Sequence, residues 1–236
     1  MLIMKGFRNK QNGFTLIELM IAMLIGLIVV AATIAMYVIT IKSSSDTMKS
    51  AQLNQDFGVA MTIMTNDIRR AGYWGGAITG SDSRTNPFNA LNVYDFGGNV
   101  NACILYSYDA DADGVIDTEE YFGFRINGAT IEIKSTGSTV TNCAVDAAGT
   151  WSDILDSGTI SVTSLSFNTD NFKCKNVSTG DIALCSDLPV PTAGDDIVEL
   201  RYVVIGLDGE VTTDSSISAS ITSSVKVKNN RVYIQP

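Results

Sequence analysis

From position 14 to position 41 the sequence reads FTLIELMIAMLIGLIVVAATIAMYVITI, with Glu18 its single charge. A helix rises about 1.5 Å per residue, so this run more than crosses a hydrocarbon layer of about 30 Å. Inside lipid every backbone N–H and C=O must be satisfied within the segment, which leaves the α-helix as the conformation for one isolated span. Lys5, Arg8 and Lys10 precede the run without an acidic residue among them. That bias favours a cytoplasmic N-terminus, with the rest of the chain across the membrane.

The remainder has a different character. The chain of 236 residues has a net charge of −9. Without the first thirteen residues, 13 basic side chains would face 25 acidic ones. An acidic body lacking a basic patch argues against nucleic acid as a partner, because phosphate binding is dominated by Lys and Arg. Histidine is absent, which removes the usual general base and the commonest zinc ligand. No nucleophile elbow, P-loop or dinucleotide glycine pattern occurs, so the chain is not expected to be an enzyme and no organic cofactor is implied. Cys103, Cys143, Cys174 and Cys185 all follow the apolar run. Four cysteines on one side of a membrane segment suggest two disulfides in an oxidising compartment such as a periplasm; four free thiols in a reduced core is the other reading. Of the three possible connectivities, the sequential pairing Cys103–Cys143 and Cys174–Cys185 is expected.

Beyond Lys42 the pattern becomes polar, with an apolar stripe at Met48, Leu53, Phe57, Met61, Met64, Ile68 and Ala71. Spacings of three and four are one face of a helix, and the cluster Gly72, Gly75 and Gly76 ends it. One helix of nearly sixty residues results, apolar all round in residues 14–41 and one-sided in 42–76. From about residue 100 strands follow. Residues 102–108, 160–167, 197–206 and 218–228 and the terminal stretch 231–234 carry apolar or alternating patterns. Segments 121–126 and 129–134 flank Asn127-Gly128, a hairpin signal, and Asp208-Gly209 is a second. Segments 77–100, 136–150 and 168–195 are loop-like. A long helix followed by antiparallel strands gives an α+β fold, with the amphipathic half-helix packed on the sheet and residues 77–236 as a β-rich head.

An ordinary secretory signal is cut after its apolar stretch. Here Lys10-Gln11-Asn12-Gly13 stands before it, followed by Phe14-Thr15-Leu16-Ile17-Glu18-Leu19. This resembles the processing site of type IV prepilins and type II secretion pseudopilins. The resemblance implies that a prepilin peptidase removes residues 1–13 between Gly13 and Phe14 and methylates the new amino group of Phe14. It also implies a pilin-like fold and residence in the inner membrane with a periplasmic head, followed by passage into a pilus at the cell surface. A carboxylate in a membrane helix costs at least about 2.5–3.5 kcal/mol on insertion scales. The family supplies a partner for Glu18 in the Phe14 ammonium of a neighbouring subunit, a pairing that would fix register. A plain signal anchor with an interfacial Glu is the bland alternative.

Two further stretches, Asp67-Ile68-Arg69-Arg70-Ala71-Gly72-Tyr73-Trp74-Gly75-Gly76 and Cys103-Ile104-Leu105-Tyr106-Ser107-Tyr108-Asp109 with Phe122-Gly123-Phe124-Arg125, are similar to the PilW family of minor pilins. That resemblance implies a minor pilin engaged with other minor and major pilins in a priming or tip complex from which a type IV pilus grows. Major pilins usually carry a Pro at the position occupied here by Ala35, which favours a minor subunit.

Residues 109–120 also match the twelve-residue calcium loop. Asp109, Asp111, Asp113, Asp117 and Glu120 supply side-chain oxygens at positions 1, 3, 5, 9 and 12. The Val115 carbonyl falls at position 7 and Gly114 at the turn. The flanks read as strands, so the expectation is a structural calcium staple rather than an opening sensor; a solvated acidic hairpin is the alternative. Tyr73 and Trp74 are either a partner-binding knob or packed under the sheet. Two other roles stay open: a minor pseudopilin of type II secretion, and a membrane-anchored, calcium-dependent adhesin.

Overall fold

The computed structural model describes residues 13–75, 82–136, 143–144, 150–188, 191 and 193–235. The leader residues 1–12, Gly76 and most of the loop 137–149 lie outside the described residues. One helix, α1, runs Leu16–Ile68 over 53 residues and passes Ala35 unbroken. Twelve strands follow: β1 Leu91–Phe96, β2 Asn99–Ser107, β3 Tyr121–Asn127, β4 Thr130–Thr136, β5 Thr150–Asp153, β6 Ile160–Asn168, β7 Lys173–Asn176, β8 Ile182–Leu184, β9 Asp196–Leu200, β10 Tyr202–Val211, β11 Asp214–Lys226 and β12 Arg231–Ile234. The architecture is α+β and pilin-like.

The chain divides into two compact units, residues 1–48 and 49–236. In the first, every described residue from 13 to 45 is exposed, although most are Leu, Ile, Val, Met and Ala. The window of highest hydropathy is long and apolar enough to cross a membrane. Such a surface needs lipid or other apolar helices around it.

In the second unit the helix becomes one-sided. Leu53, Phe57, Ala60, Met61, Met64 and Ile68 are buried, joined by Ala71 just past its end. Met48, expected on the stripe, is exposed, so the buried face begins at Leu53. The stripe packs with side chains of β2, β3, β4, β6, β10 and β11 in one apolar core. All strand pairings are antiparallel, in three sheets: β1-β2-β3-β4-β5, β11-β10-β6 and β12-β9-β7-β8. Strand β10 alternates strictly, with Val203, Ile205, Leu207, Gly209 and Val211 buried.

Two turn expectations are corrected. The β3–β4 hairpin is closed by Asn127 opposite Thr130, so its central residues are Gly128 and Ala129, with Gly128 at φ +60°. A glycine in the left-handed region at the first central position is the II′ arrangement, which fits strand twist. Asp208-Gly209 is not a turn at all: β10 runs through it and reverses only after Val211, which pairs with Asp214. The reason is close packing. A Cβ on Gly209 would lie 2.7 Å from Phe57 Cζ and 2.6 Å from the Ser161 carbonyl, so the glycine admits the helix rather than bending the strand.

The expected strand 197–206 breaks at Arg201, with β9 joining one sheet and β10 another. Arg201 is buried there, donating from Nη1 to the Asn89 carbonyl at 3.0 Å and from Nη2 to the Asn229 carbonyl at 2.8 Å. Burial pulls its pKa down to about 10. Three strands, β1, β7 and β8, lie in stretches expected to be loops, and β5 starts on the last residue of a third such stretch.

Both disulfides join cysteines consecutive in the chain, Cys103–Cys143 with Cα atoms 6.4 Å apart and Cys174–Cys185 at 4.7 Å. Loop-closure entropy grows with enclosed length. The separations of 40 and 11 residues therefore give about 4 and about 3 kcal/mol. Cys103→Ala/Cys143→Ala should lower the denaturant midpoint of the head more than Cys174→Ala/Cys185→Ala. The reverse order in urea melts would remove loop entropy as the explanation.

Candidate functional site

Two regions carry the residues singled out from sequence, one in each unit. In the first, the helix opens on a feature the sequence reading passed over. Thr15 stands before the first helical residue, and its backbone N–H and hydroxyl both donate to Glu18 Oε2, at 3.0 and 2.8 Å. The Glu18 N–H donates back to Thr15 Oγ1 at 3.3 Å. This is a capping box, in which Thr-x-x-Glu satisfies orphan donors at a helix start. The signal was legible in Thr15-Leu16-Ile17-Glu18. It gives Glu18 a partner within the uncut chain and sets the helix boundary just after Gly13 and Phe14.

In the second unit the end of α1 meets strand β2 and the acidic loop after it. Asp67, on the last turn, accepts the hydroxyls of Tyr106 and of Tyr108, the latter at 2.9 Å. Burial, followed by the Asp67 charge, pushes the Tyr106 phenol well above its ordinary pKa, and Tyr108 is raised for the same reasons. Both phenols therefore stay protonated and donate. Arg70 lies 4.1 Å above the Tyr108 ring and 3.8 Å from Asp67. The stretch from Asp67 and the stretch from Cys103, far apart in sequence, thus form one polar lock between helix and sheet.

Past the helix the chain is pinned. Gly72 N–H donates to the Ser107 carbonyl at 2.9 Å, and Asp109 N–H to the Tyr73 carbonyl at 3.0 Å. Gly72 has φ +76°, and a Cβ there would lie 2.4 Å from Arg201 Nη2. Gly75 N–H donates to Asp109 Oδ2 at 2.7 Å, and the Trp74 indole N–H to the Gly114 carbonyl at 3.1 Å. Trp74 is therefore neither a free knob nor a residue under the sheet: it clasps the acidic loop, with Tyr73 exposed beside it.

The loop joins β2 to β3 with Ser107 opposite Tyr121, and no residue in it is helical. Asp109, Asp111 and Glu120 are brought together, each offering a carboxylate oxygen within 4.8 Å of the others'. Asp113 and Asp117 stand outside this group, and each accepts a local N–H: Val115 N–H donates to Asp113 Oδ1 at 2.7 Å, and Glu119 N–H to Asp117 Oδ1 at 2.9 Å. Val115 is exposed. Glu120 accepts from Ala110 N–H through Oε1 and from Asp117 N–H through Oε2. Burial raises its carboxyl pKa, with the Asp117 and Asp109 charges adding to the rise against those two donors.

On the far side of the sheet Arg125 is buried between the rings of Trp151 and Phe96, at 4.1 and 4.7 Å. Its Nε donates to Glu132 Oε2, and its Nη1 to the Cys143 carbonyl at 2.6 Å. A single Arg thus ties β3 to β4 and to the Cys103–Cys143 bridge.

Comparison with known proteins finds family matches that span both regions. A prokaryotic N-terminal methylation motif matches residues 8–34, spanning the Gly13–Phe14 junction and Glu18. A protein of Haemophilus influenzae described only as uncharacterized is 30% identical over a 100-residue alignment, covering 29% of this chain and 42% of the relative. The chain thus spans well under half the length of that relative. No solved structure matches. The model of prepilin peptidase-dependent protein B matches residues 46–227, most of the chain and nearly all of its second unit. With the methylation motif this makes it a type IV pilin-like or pseudopilin protein, and the chain belongs to the prepilin peptidase-dependent protein B family.

Proposed function

We propose that the chain is a minor pilin of the PilW kind, a structural subunit that helps prime a type IV pilus near its tip. The observation that carries the reading is the methylation motif placed directly on the start of an unbroken helix whose apolar residues up to Ile41 are all exposed. In this reading the peptidase cuts after Gly13 and methylates Phe14. The helix stays as the inner-membrane anchor, N-terminus in the cytoplasm and head in the periplasm, until it enters the filament core. The capping box holds the Glu18 carboxylate at the helix start, one turn from the amino group that cleavage creates at Phe14. In the filament the same carboxylate receives the Phe14 ammonium of a neighbouring pilin, which removes an uncompensated buried charge. Continuity of the helix through Ala35 suits a minor subunit rather than the main building block.

Mass spectrometry of sheared pili tests this. The expected result is a low-abundance chain beginning at methylated Phe14. Met1 retained in mature protein would overturn the processing. Absence from pili together with recovery in a type II secretion assembly would replace the pilus by a pseudopilus.

A further inference from the structure

The acidic loop is not absorbed by a role in filament building. Three of its carboxylates, from Asp109, Asp111 and Glu120, share a space with oxygens within 4.8 Å of one another. Like charges so close repel, and none of the described ion pairs engages any of the three. Asp109 and Glu120 are 1% and 2% exposed, so water cannot screen them well.

A second observation is independent of this clustering. Asp109 Oδ2 accepts from both Gly75 and Gly114 N–H groups, yet its Oδ1 is buried and meets no hydrogen-bond donor among the described residues. A buried carboxylate oxygen without a donor or cation carries an uncompensated desolvation penalty. Glu120 is held by Ala110 and Asp117 N–H groups, and Asp111 Oδ1 by the Asp113 N–H at 3.1 Å. Three carboxylates are thus fixed in place without neutralisation.

We infer that Asp109, Asp111 and Glu120 hold a calcium ion that closes the β2–β3 loop onto the chain leaving the helix. The donors are all carboxylate oxygens, which select a hard cation. Calcium sits about 2.3–2.6 Å from its ligands, so two oxygens on opposite sides of one ion are separated by about 5 Å, the scale of this cluster. Calcium also accepts irregular coordination completed by water and bidentate carboxylates, whereas magnesium demands near-ideal octahedral geometry. The Gly114 backbone at φ +82° makes the turn that brings the loop's two ends together.

The ion's mechanical consequence follows from what Asp109 touches. Its carboxylate holds Gly75, its N–H holds Tyr73, and Gly114 receives Trp74. A Cβ on Gly75 would lie 2.9 Å from Ala112 Cα, so loop and helix exit are in direct contact. Neutralising the cluster stiffens the segment 72–75 together with the loop.

Calorimetric titration of calcium chloride into the full chain in detergent, with melting curves and Trp fluorescence, tests the site. The expected dissociation constant is about 10⁻⁴–10⁻³ M, as for extracellular modules. It should come with a rise in melting temperature and a change in Trp74 emission that magnesium reproduces only weakly. Asp111 is exposed, so Asp111→Asn should fold normally while weakening binding at least about tenfold. Asp109→Asn should abolish binding, and Asp170→Asn, in a different loop, should leave it unchanged. No heat and no melting shift with the unmodified chain at millimolar calcium would overturn the proposal. So would an Asp111→Asn chain that binds as tightly as the original. Neither outcome depends on whether the chain enters a pilus.

Discussion

Glu132→Ala should lower the unfolding free energy of the head by about 3 kcal/mol. Arg125 is fully enclosed by Phe96, Trp151 and the Cys143 carbonyl, and Glu132 is its sole carboxylate among the described ion pairs. Removing one member of a buried pair leaves the other charge uncompensated, which typically costs about 3–5 kcal/mol. The lower end applies because the guanidinium keeps one carbonyl and two ring faces. The same logic predicts that Arg125→Met/Glu132→Leu recovers much of the loss, since an apolar pair of similar volume carries no unpaired charge. Urea melts of the two variants settle the matter. A single substitution within about 0.5 kcal/mol of the parent would mean that Arg125 finds another partner and that the pair is structurally idle.

Phe57→Ala should cost about 4 kcal/mol, in the middle of the range for a large aromatic removed from a core. The ring is fully buried and rests over Gly209, which has no side chain with which to fill the space left behind. The coupling is the sharper test. Gly209→Ala alone forces its Cβ against both Phe57 Cζ and the Ser161 carbonyl, and it should destabilise the parent. In the Phe57→Ala background only the carbonyl clash remains, so the cost of Gly209→Ala should shrink. Residues in contact couple by about 0.5–3 kcal/mol in such cycles. Strict additivity would show that the helix does not lean on this strand as the geometry requires.

These two sites also mark where sequence was and was not informative. The helix was legible nearly to its ends because its pattern is long and its period changes character only once, near Lys42. Strand β6 was legible from its apolar residues Ile160, Val162, Leu165 and Phe167, which alternate on either side of one irregularity, whereas β10 was foreseen only as far as residue 206. Asp208-Gly209 misled because a glycine that opens a turn and a glycine that admits a neighbouring ring look alike in one dimension; only Phe57 above it decides. The short strands β7 and β8 carry no apolar alternation; β7 pairs with β8 and β9, and the Cys174–Cys185 bridge and the buried Asn176 side chain fix it. In the acidic loop the spacing indicated six ligands, and the structure gathers three, Asp109, Asp111 and Glu120. Asp113 and Asp117 lie outside that group and each accepts a local N–H, as Asp111 also does, a use of the side chain that spacing does not reveal. Asp67, Arg125 and Arg201 were invisible as structural centres because their partners lie many residues away. Thr15 was readable, and only its role as the partner of Glu18 had been overlooked.

The division of the chain at Met48 bears on what a cut within the helix would do. Ser43, Ser44 and Ser45 are exposed and belong to neither the apolar run nor the buried stripe that begins at Leu53. A protease that cut among them would remove no part of the core, because every helical residue packed against the strands lies downstream. Cleavage there is a release step rather than a denaturing one. It would part an acidic head that keeps its whole buried core from an apolar stem that has none.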